Sequence, residues 1–422
     1  MSTNRSENPA NFPQECGARE WISGFLLLGI LVGLLGSLLV AWQYHIDADP
    51  KLIGLHFLAL SVGYVIAGAS AQRLLPHIAM RTMAIASCCI GIASLGVLSV
   101  AVPPIPVAWR MLGLGLVGCA GGLLASSLLY ILEPYFSRSP AVLANRVGAL
   151  FGCGCLVSTI MIGATYFAGS VQIETGLLAL APLIFLIVFS TNKFPGARRC
   201  VEVREEENRI REMLRDLRSI AAVLFSVLLF FQFGNEWAIA GWLPLFLIRR
   251  LGANPVWAIF ALAVYFLALL AGRLAVQPFL RRVNHRRLLL GSVFAAMAGY
   301  LLLSWTPGMV AAWIAVVIIG AGFAPIYPIV AETLDDRFSY HPGFYNGLFS
   351  IAITGAMFAP WLLGYVDSYL GMRYVMLLPA FGSIVVLVLA LLIMLEAHLM
   401  GEKRGNHGDS QRALANRASA GK

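Results

Sequence analysis

The sequence is short of charge. Asp, Glu, Lys and Arg make up 12% of its 422 residues, against about a quarter in an ordinary soluble domain. It also lacks the usual signatures of chemistry. No GxxxxGK[ST] is present, so ATP does not drive the chain directly. HExxH and GxSxG are absent, and the seven cysteines form no CxxC or Cys/His cluster. No catalytic residue, metal or cofactor is therefore expected, and the chain does not read as an enzyme. Cys88, Cys89, Cys119, Cys153 and Cys155 fall within apolar runs, while Cys16 and Cys200 fall in polar ones. They read as small buried hydrophobes rather than disulfides.

What is abundant is apolar sequence, 59% of the chain. A membrane span needs about 20 mostly apolar residues. Twelve such runs occur, at 21–43, 52–71, 80–102, 107–132, 141–167, 174–191, 219–247, 255–280, 288–306, 309–331, 343–365 and 374–396. The first nineteen residues are polar and contain Pro9 and Pro13. The run after them is too long for a signal-peptide core, so 21–43 reads as a retained first helix. The expected fold is an all-α integral membrane protein in a lipid bilayer.

A net charge of +9 invites a nucleic-acid reading, but its distribution argues for topology instead. With the N-terminus inside, 25 of the 30 Lys and Arg fall in cytoplasmic segments, eight of them in the central loop. Only Lys51, Arg110, Arg249, Arg250 and Arg373 fall outside. Positive charge marks the cytoplasmic side, so both termini are expected in the cytoplasm, with the chain in the cytoplasmic (plasma or inner) membrane. No nucleic-acid partner is expected.

The one long connection, 192–218, straddles the midpoint of the spans. It carries Glu205/Arg209 and Glu207/Arg211 at helical spacing, which predicts a short solvated helix. The expected organisation is a cytoplasmic tail over 1–20, a six-helix bundle over 21–191, a linker over 192–218, a second bundle over 219–396 and a tail over 397–422. Weak repeats agree. EPYFSR ends the fourth span and ETLDDR the tenth, each with Glu, four residues and Arg, and Asn145 and Asn346 open the spans that follow. The basic turns around Arg73 and Arg273 also correspond. Twin halves of this kind are typical of transporters that rock two bundles about a central site.

GLGLVG at 113–118 fits a dinucleotide loop, but it lies within a span, where small residues such as Gly118 and Gly122 serve close helix packing. Arg110, which precedes it in an RxxGxG pattern, either takes part in the transport path or snorkels to the outer interface. RxxGxG is common in the fourth helix of the major facilitator superfamily, which the chain resembles. FGNEWAIAGWLP (233–244), GAGFAPIYPIVAE (320–332) and NGLFSIAITGAMFAPWLLG (346–364) resemble its fucose-permease-like branch. That resemblance implies twelve helices in two pseudo-symmetric six-helix bundles, a small-molecule substrate, and import of neutral sugars, commonly by symport with protons. Two departures stand against it. Gln72 occupies the place of the superfamily's Asp after the second span. The first span has no acid and the fourth only Glu133, so the carboxylates that the branch uses for proton coupling are not matched.

Glu236 is then the residue to explain, since a carboxylate deep in hydrocarbon is costly. From a helix start near Ser219 it lies roughly 26 Å up the seventh span at 1.5 Å per residue, in the outer third. Gln232, Asn235 and Glu236 share one face, and Gly234 and Gly241 would permit a local break. The strip either faces the cavity or pairs with an interface Arg. Trp237 is a candidate to stack on a sugar ring. Tyr130, Tyr327 and Gln43 lie in spans that line the cavity in the superfamily, and Asn346 joins the candidate set. Arg73, Glu133, Arg138, Arg273, Arg281, Glu332 and Arg337 are candidates for ion pairs closing a cytoplasmic gate, with ordinary loop charge as the alternative. The expected function is secondary transport of a small polar solute, a sugar or related neutral metabolite, by alternating access. Its rivals are export of amphipathic compounds on the same fold and a non-transporting membrane receptor or lipid-handling protein.

Overall fold

The computed structural model describes residues 18–46, 48–74, 77–102, 105–136, 140–166, 171–192, 220–279, 284–337 and 342–396. Among these the regular structure is helical throughout. The first six spans are Ala18–Gly33 continued by Leu35–Ala41, Pro50–Leu74, Met80–Val100, Val107–Phe136, Pro140–Thr165 and Val171–Thr191. The next five are Ile220–Leu251, Pro255–Phe279, His285–Trp305, Met309–Phe323 continued by Ile326–Arg337, and Pro342–Leu370. The twelfth runs over 377–396. Helices suit a chain with no water at its flanks, because each satisfies its own backbone. Large apolar side chains such as Ile184, Ile187, Val310 and Phe381 are more than half exposed, so the outer surface is apolar, as a hydrocarbon solvent requires. The helix expected over 192–218 and the two tails lie outside the described residues except at their edges.

Twelve spans bring the first and the last to end on one face, called here the near face; the opposite one is the far face. Within each half, glycine lets backbones touch. The fourth span lies on the second where Gly118 meets the Leu60 carbonyl and Gly122 that of Tyr64. The seventh lies on the eleventh where Gly355 meets the Phe230 carbonyl. The halves meet where the second span packs on the eleventh, the fifth on the eighth and the lower tenth, and the first on the seventh.

Among the described residues two spans are broken, and neither is the seventh. That span is continuous from Ile220 to Leu251 in spite of Pro244. Gly234, expected to permit a break, instead packs against the eleventh span at Gly355, and Gly241 packs against the Phe57 ring. The first span breaks at Leu34, and the Ser37 hydroxyl donates back to the Leu34 carbonyl at 2.9 Å. The tenth breaks at 324–325, where Pro325 and Pro328 supply no N–H to the preceding turn. The tenth span, expected over 309–331, is therefore made of two successive helices.

Candidate functional site

Glu236 stands sixteen residues from Ile220 and fifteen from Leu251, at the middle of its helix. The outer-third placement assumed a helix ending near residue 247; the helix runs on to Leu251, which puts Glu236 at its midpoint. At this level a cavity of about 140 Å³ opens between the two halves. That is close to the size that accepts a single six-membered ring. Apolar side chains supply most of its lining, among them Phe25, Leu28, Phe57, Leu129, Phe151, Phe233 and Met357. Its polar members are Ser61, Tyr64, Glu236, Trp237, Arg273 and Tyr327.

The carboxylate is 9% exposed and fully engaged. Gln232 Nε2 donates to Glu236 Oε1 at 3.0 Å, and Arg273 Nη2 faces Oε2 at 3.6 Å. Tyr265 donates its hydroxyl to the Glu236 carbonyl at 3.4 Å and Tyr300 to that of Asn235 at 2.6 Å. These bonds anchor the helix backbone at the acid and at the residue before it.

Arg273, expected in the cytoplasmic gate, is 6% exposed and lies in the cavity wall. Its helix continues six residues beyond it, to Phe279. The guanidinium therefore points into the protein rather than into a loop. A counter-charge offsets the cost of burying such a cation, and Glu236 supplies it to Arg273.

The other candidates separate. Only Glu236 of the expected strip lines the cavity. Gln232 supports it, while Asn235 turns to the twelfth span, with Nδ2 3.5 Å from Ser383 Oγ and its side chain over Gly382. Adjacent residues on a helix differ by about 100° in direction, which is enough to part Asn235 from Glu236 here. Trp237 meets Phe151 across the boundary between the halves, rings 6.0 Å apart, and Tyr327 meets Phe233 at 5.5 Å. Gln43 is not in the first helix. It sits exposed in the turn after it, with a left-handed φ of 60°, and lines no cavity. Tyr130 is 43% exposed and outside the cavity wall.

Arg110 is 4% exposed, with its guanidinium 6.0 Å from the Trp42 ring and 5.6 Å from that of Tyr44. It is buried in the first half rather than snorkelling, and it does not reach the cavity. Arg73 is exposed at the near face. Glu332 pairs with His285, 3.6 Å away, both about one-third exposed. Arg138 and Arg281 lie outside the described residues, as do the side chains of Glu133, Arg337 and Asn346.

Residues 21–355 match the description of the Major Facilitator Superfamily. The chain belongs to that superfamily. It is 24% identical to Bypass of stop codon protein 6 of Saccharomyces cerevisiae over 404 residues, covering 84% of this chain and 77% of that protein. Among solved structures, the E. coli fucose:proton symporter FucP aligns with a TM-score of 0.62 at 15% identity, over 89% of this chain and 98% of that one. A D-xylose-proton symporter aligns at 0.72 with 12% identity, over 89% and 96%. The nucleoside transporter NupG aligns at 0.68 with 12% identity, over 90% and 99%. At such identities the likeness is one of fold. The twelve-helix architecture and membrane location of this superfamily member agree with it.

Sequence reasoning missed how this superfamily member is closed on its far face. Arg249 pairs with Asp367 at 3.3 Å within the second half and reaches the carbonyls of Tyr44 at 2.6 Å and Ala48 at 3.1 Å in the first. Lys51 donates to the Tyr369 hydroxyl at 3.1 Å. Sequence distance hides such contacts, since Arg249 and Tyr44 are 205 residues apart. It also missed Glu174, 3% exposed in the first turn of the sixth span with Oε2 unpaired. Glu236 is therefore not the sole acid buried in a span. Arg273 was legible as an Arg inside an apolar run, WAIFALAVYFLALLAGRLAV, a position that marks function by default.

Proposed function

We propose that the chain is a secondary active transporter that moves a small polar solute, a sugar or related neutral metabolite, by alternating access with proton coupling. The observation that carries this reading is the Glu236–Arg273 pair in the wall of a ring-sized cavity between the halves. A pyranose or nucleoside presents hydroxyls along one edge and an apolar C–H or base face. The wall is divided in the same way, with Glu236, Arg273 and Tyr327 as hydrogen-bonding groups and the rings of Trp237, Phe151 and Phe233 as a stacking surface. The names of FucP and the D-xylose symporter support the sugar and the proton. The distribution of Lys and Arg supports a cytoplasmic near face in the plasma or inner membrane.

Purified protein in proteoliposomes, tested for counterflow with a panel of labelled sugars and nucleosides, checks the reading. Glu236→Gln should abolish accumulation driven by a pH gradient while leaving exchange in place. No counterflow with any member of the panel would refute the solute class. Unchanged accumulation in Glu236→Gln and in Glu236→Ala would refute the coupling role. The predominance of apolar side chains in the wall favours a second reading, export of amphipathic compounds. It predicts that such compounds, and not sugars, stabilise the purified protein against heat.

A further inference from the structure

Arg273 is held from both halves at once. Its Nη2 faces Glu236 in the second half, and its Nη1 donates to the Gly148 carbonyl of the first at 2.6 Å. Asn145 of the fifth span donates Nδ2 back to the Arg273 carbonyl at 3.2 Å. The guanidinium lies so close over Gly148 that a side chain there would press on Nη1. Side chain and backbone of one residue thus tie the fifth span to the eighth.

We propose that Arg273 is the residue through which Glu236 controls the contact between the halves. A charged carboxylate keeps the guanidinium on Gly148, and loss of that charge lets the fifth and eighth spans part toward the near face. This rests on the reading above only in taking Glu236 as the group that binds the proton.

The argument is one of charge. A guanidinium keeps its proton in any protein, so Arg273 is a cation in every state. Among the described residues the other titratable groups about the pair are Tyr265 on the eighth span, Tyr300 on the ninth, Tyr327 on the tenth and Cys155 on the fifth. None of these carries a negative charge at neutral pH. Among the described residues Glu236 is the one acid in the cavity wall. When a proton from solvent neutralises it, the buried cation has no counter-charge, a condition that proteins tolerate poorly. Water is the remaining remedy. Arg273 is six residues from the end of its helix and Gly148 eight from the start of its own. Both are therefore about 9–12 Å from the near-face ends at 1.5 Å per residue. The short route for water is between these spans.

The test uses full-length protein with its seven cysteines replaced and Ala144→Cys, a buried position in the near-face cavity wall. An impermeant maleimide is applied to the near face, and rates are normalised to Ser190→Cys, exposed on that side. The normalised rate should rise as pH falls. Glu236→Gln should label fast at every pH, by about fivefold or more over the parent at high pH. Adding Arg273→Gln should restore slow labelling, because no unpaired charge remains. Asn145→Ala should speed labelling but keep the pH dependence, and it decides the matter should the charge variants not fold. A flat profile in the parent, or a double variant as fast as Glu236→Gln, would overturn the proposal. The labelling needs no solute, so failure of the sugar panel leaves it standing, and the reverse holds too.

Discussion

Gly36 is the point at which the first span crosses the seventh. Pro244 has no N–H, so the Ala240 carbonyl one turn back is free of the helix ladder. Gly36 lies directly against that oxygen, and any Cβ there would overlap it. A backbone oxygen cannot swing aside as a side-chain tip can, so Gly36→Ala must move the two helices apart by roughly 1 Å. Overpacking of this degree costs about 1–3 kcal/mol. The cost falls only on conformations in which the first and seventh spans touch, as they do with the far face closed. The population should therefore shift toward far-face opening by about 5–150-fold.

Gly118→Ala is the matched control. It overlaps the Leu60 carbonyl, but its helix and the second span belong to the same half and stay together in either conformation. A similar cost should appear there as lost stability, with no shift. Ser61→Cys, in the cavity wall, reports the difference when labelled from the far face. Gly36→Ala should speed its labelling with little loss of melting temperature, and Gly118→Ala should do the opposite. If both variants lose stability alike and neither alters labelling, the boundary between the halves has been drawn in the wrong place.

Two further outcomes are expected. Reporters inserted at 192–218 and fused after Lys422 should both read cytoplasmic, and a periplasmic or extracellular signal from either would reverse the assignment of the faces. Arg249→Ala removes the Asp367 pair and two carbonyl bonds to the first half, whereas Asp367→Asn removes only the charge. Far-face labelling of Ser61→Cys should therefore rise more in Arg249→Ala than in Asp367→Asn, and equal effects would show that the bonds to Tyr44 and Ala48 do not hold the halves together.

Much of the architecture was legible because a bilayer reads sequence in one dimension. The twelve apolar runs fall on twelve helices, and the single long connection divides them into six and six, since lipid leaves a chain no other way to satisfy its backbone. Glu236 was legible for the same reason, because an acid in the middle of an apolar run demands an explanation. The breaks were less so. Gly234 and Gly241 invited one in the seventh span, but the breaks fall at Leu34 and at Ala324–Pro325. Whether a glycine loosens a helix or seats a neighbour depends on what lies opposite, and at Gly234 that is Gly355, over a hundred residues away.

By itself the sequence determined the class of protein, the number and order of the spans, the central division and the presence of a buried acid. Only the tertiary structure decided what that acid meets. It moved Arg273 from a presumed loop gate into the cavity and turned Asn235 toward the twelfth span. It also left Gln43 in a surface turn and joined Arg249 to the loop at Tyr44 and Ala48. The physical reason is the range of the forces involved. Insertion into lipid depends on the local composition of about 20 residues. The partner of a charge is fixed within a few ångströms by helices that meet only after the chain has folded.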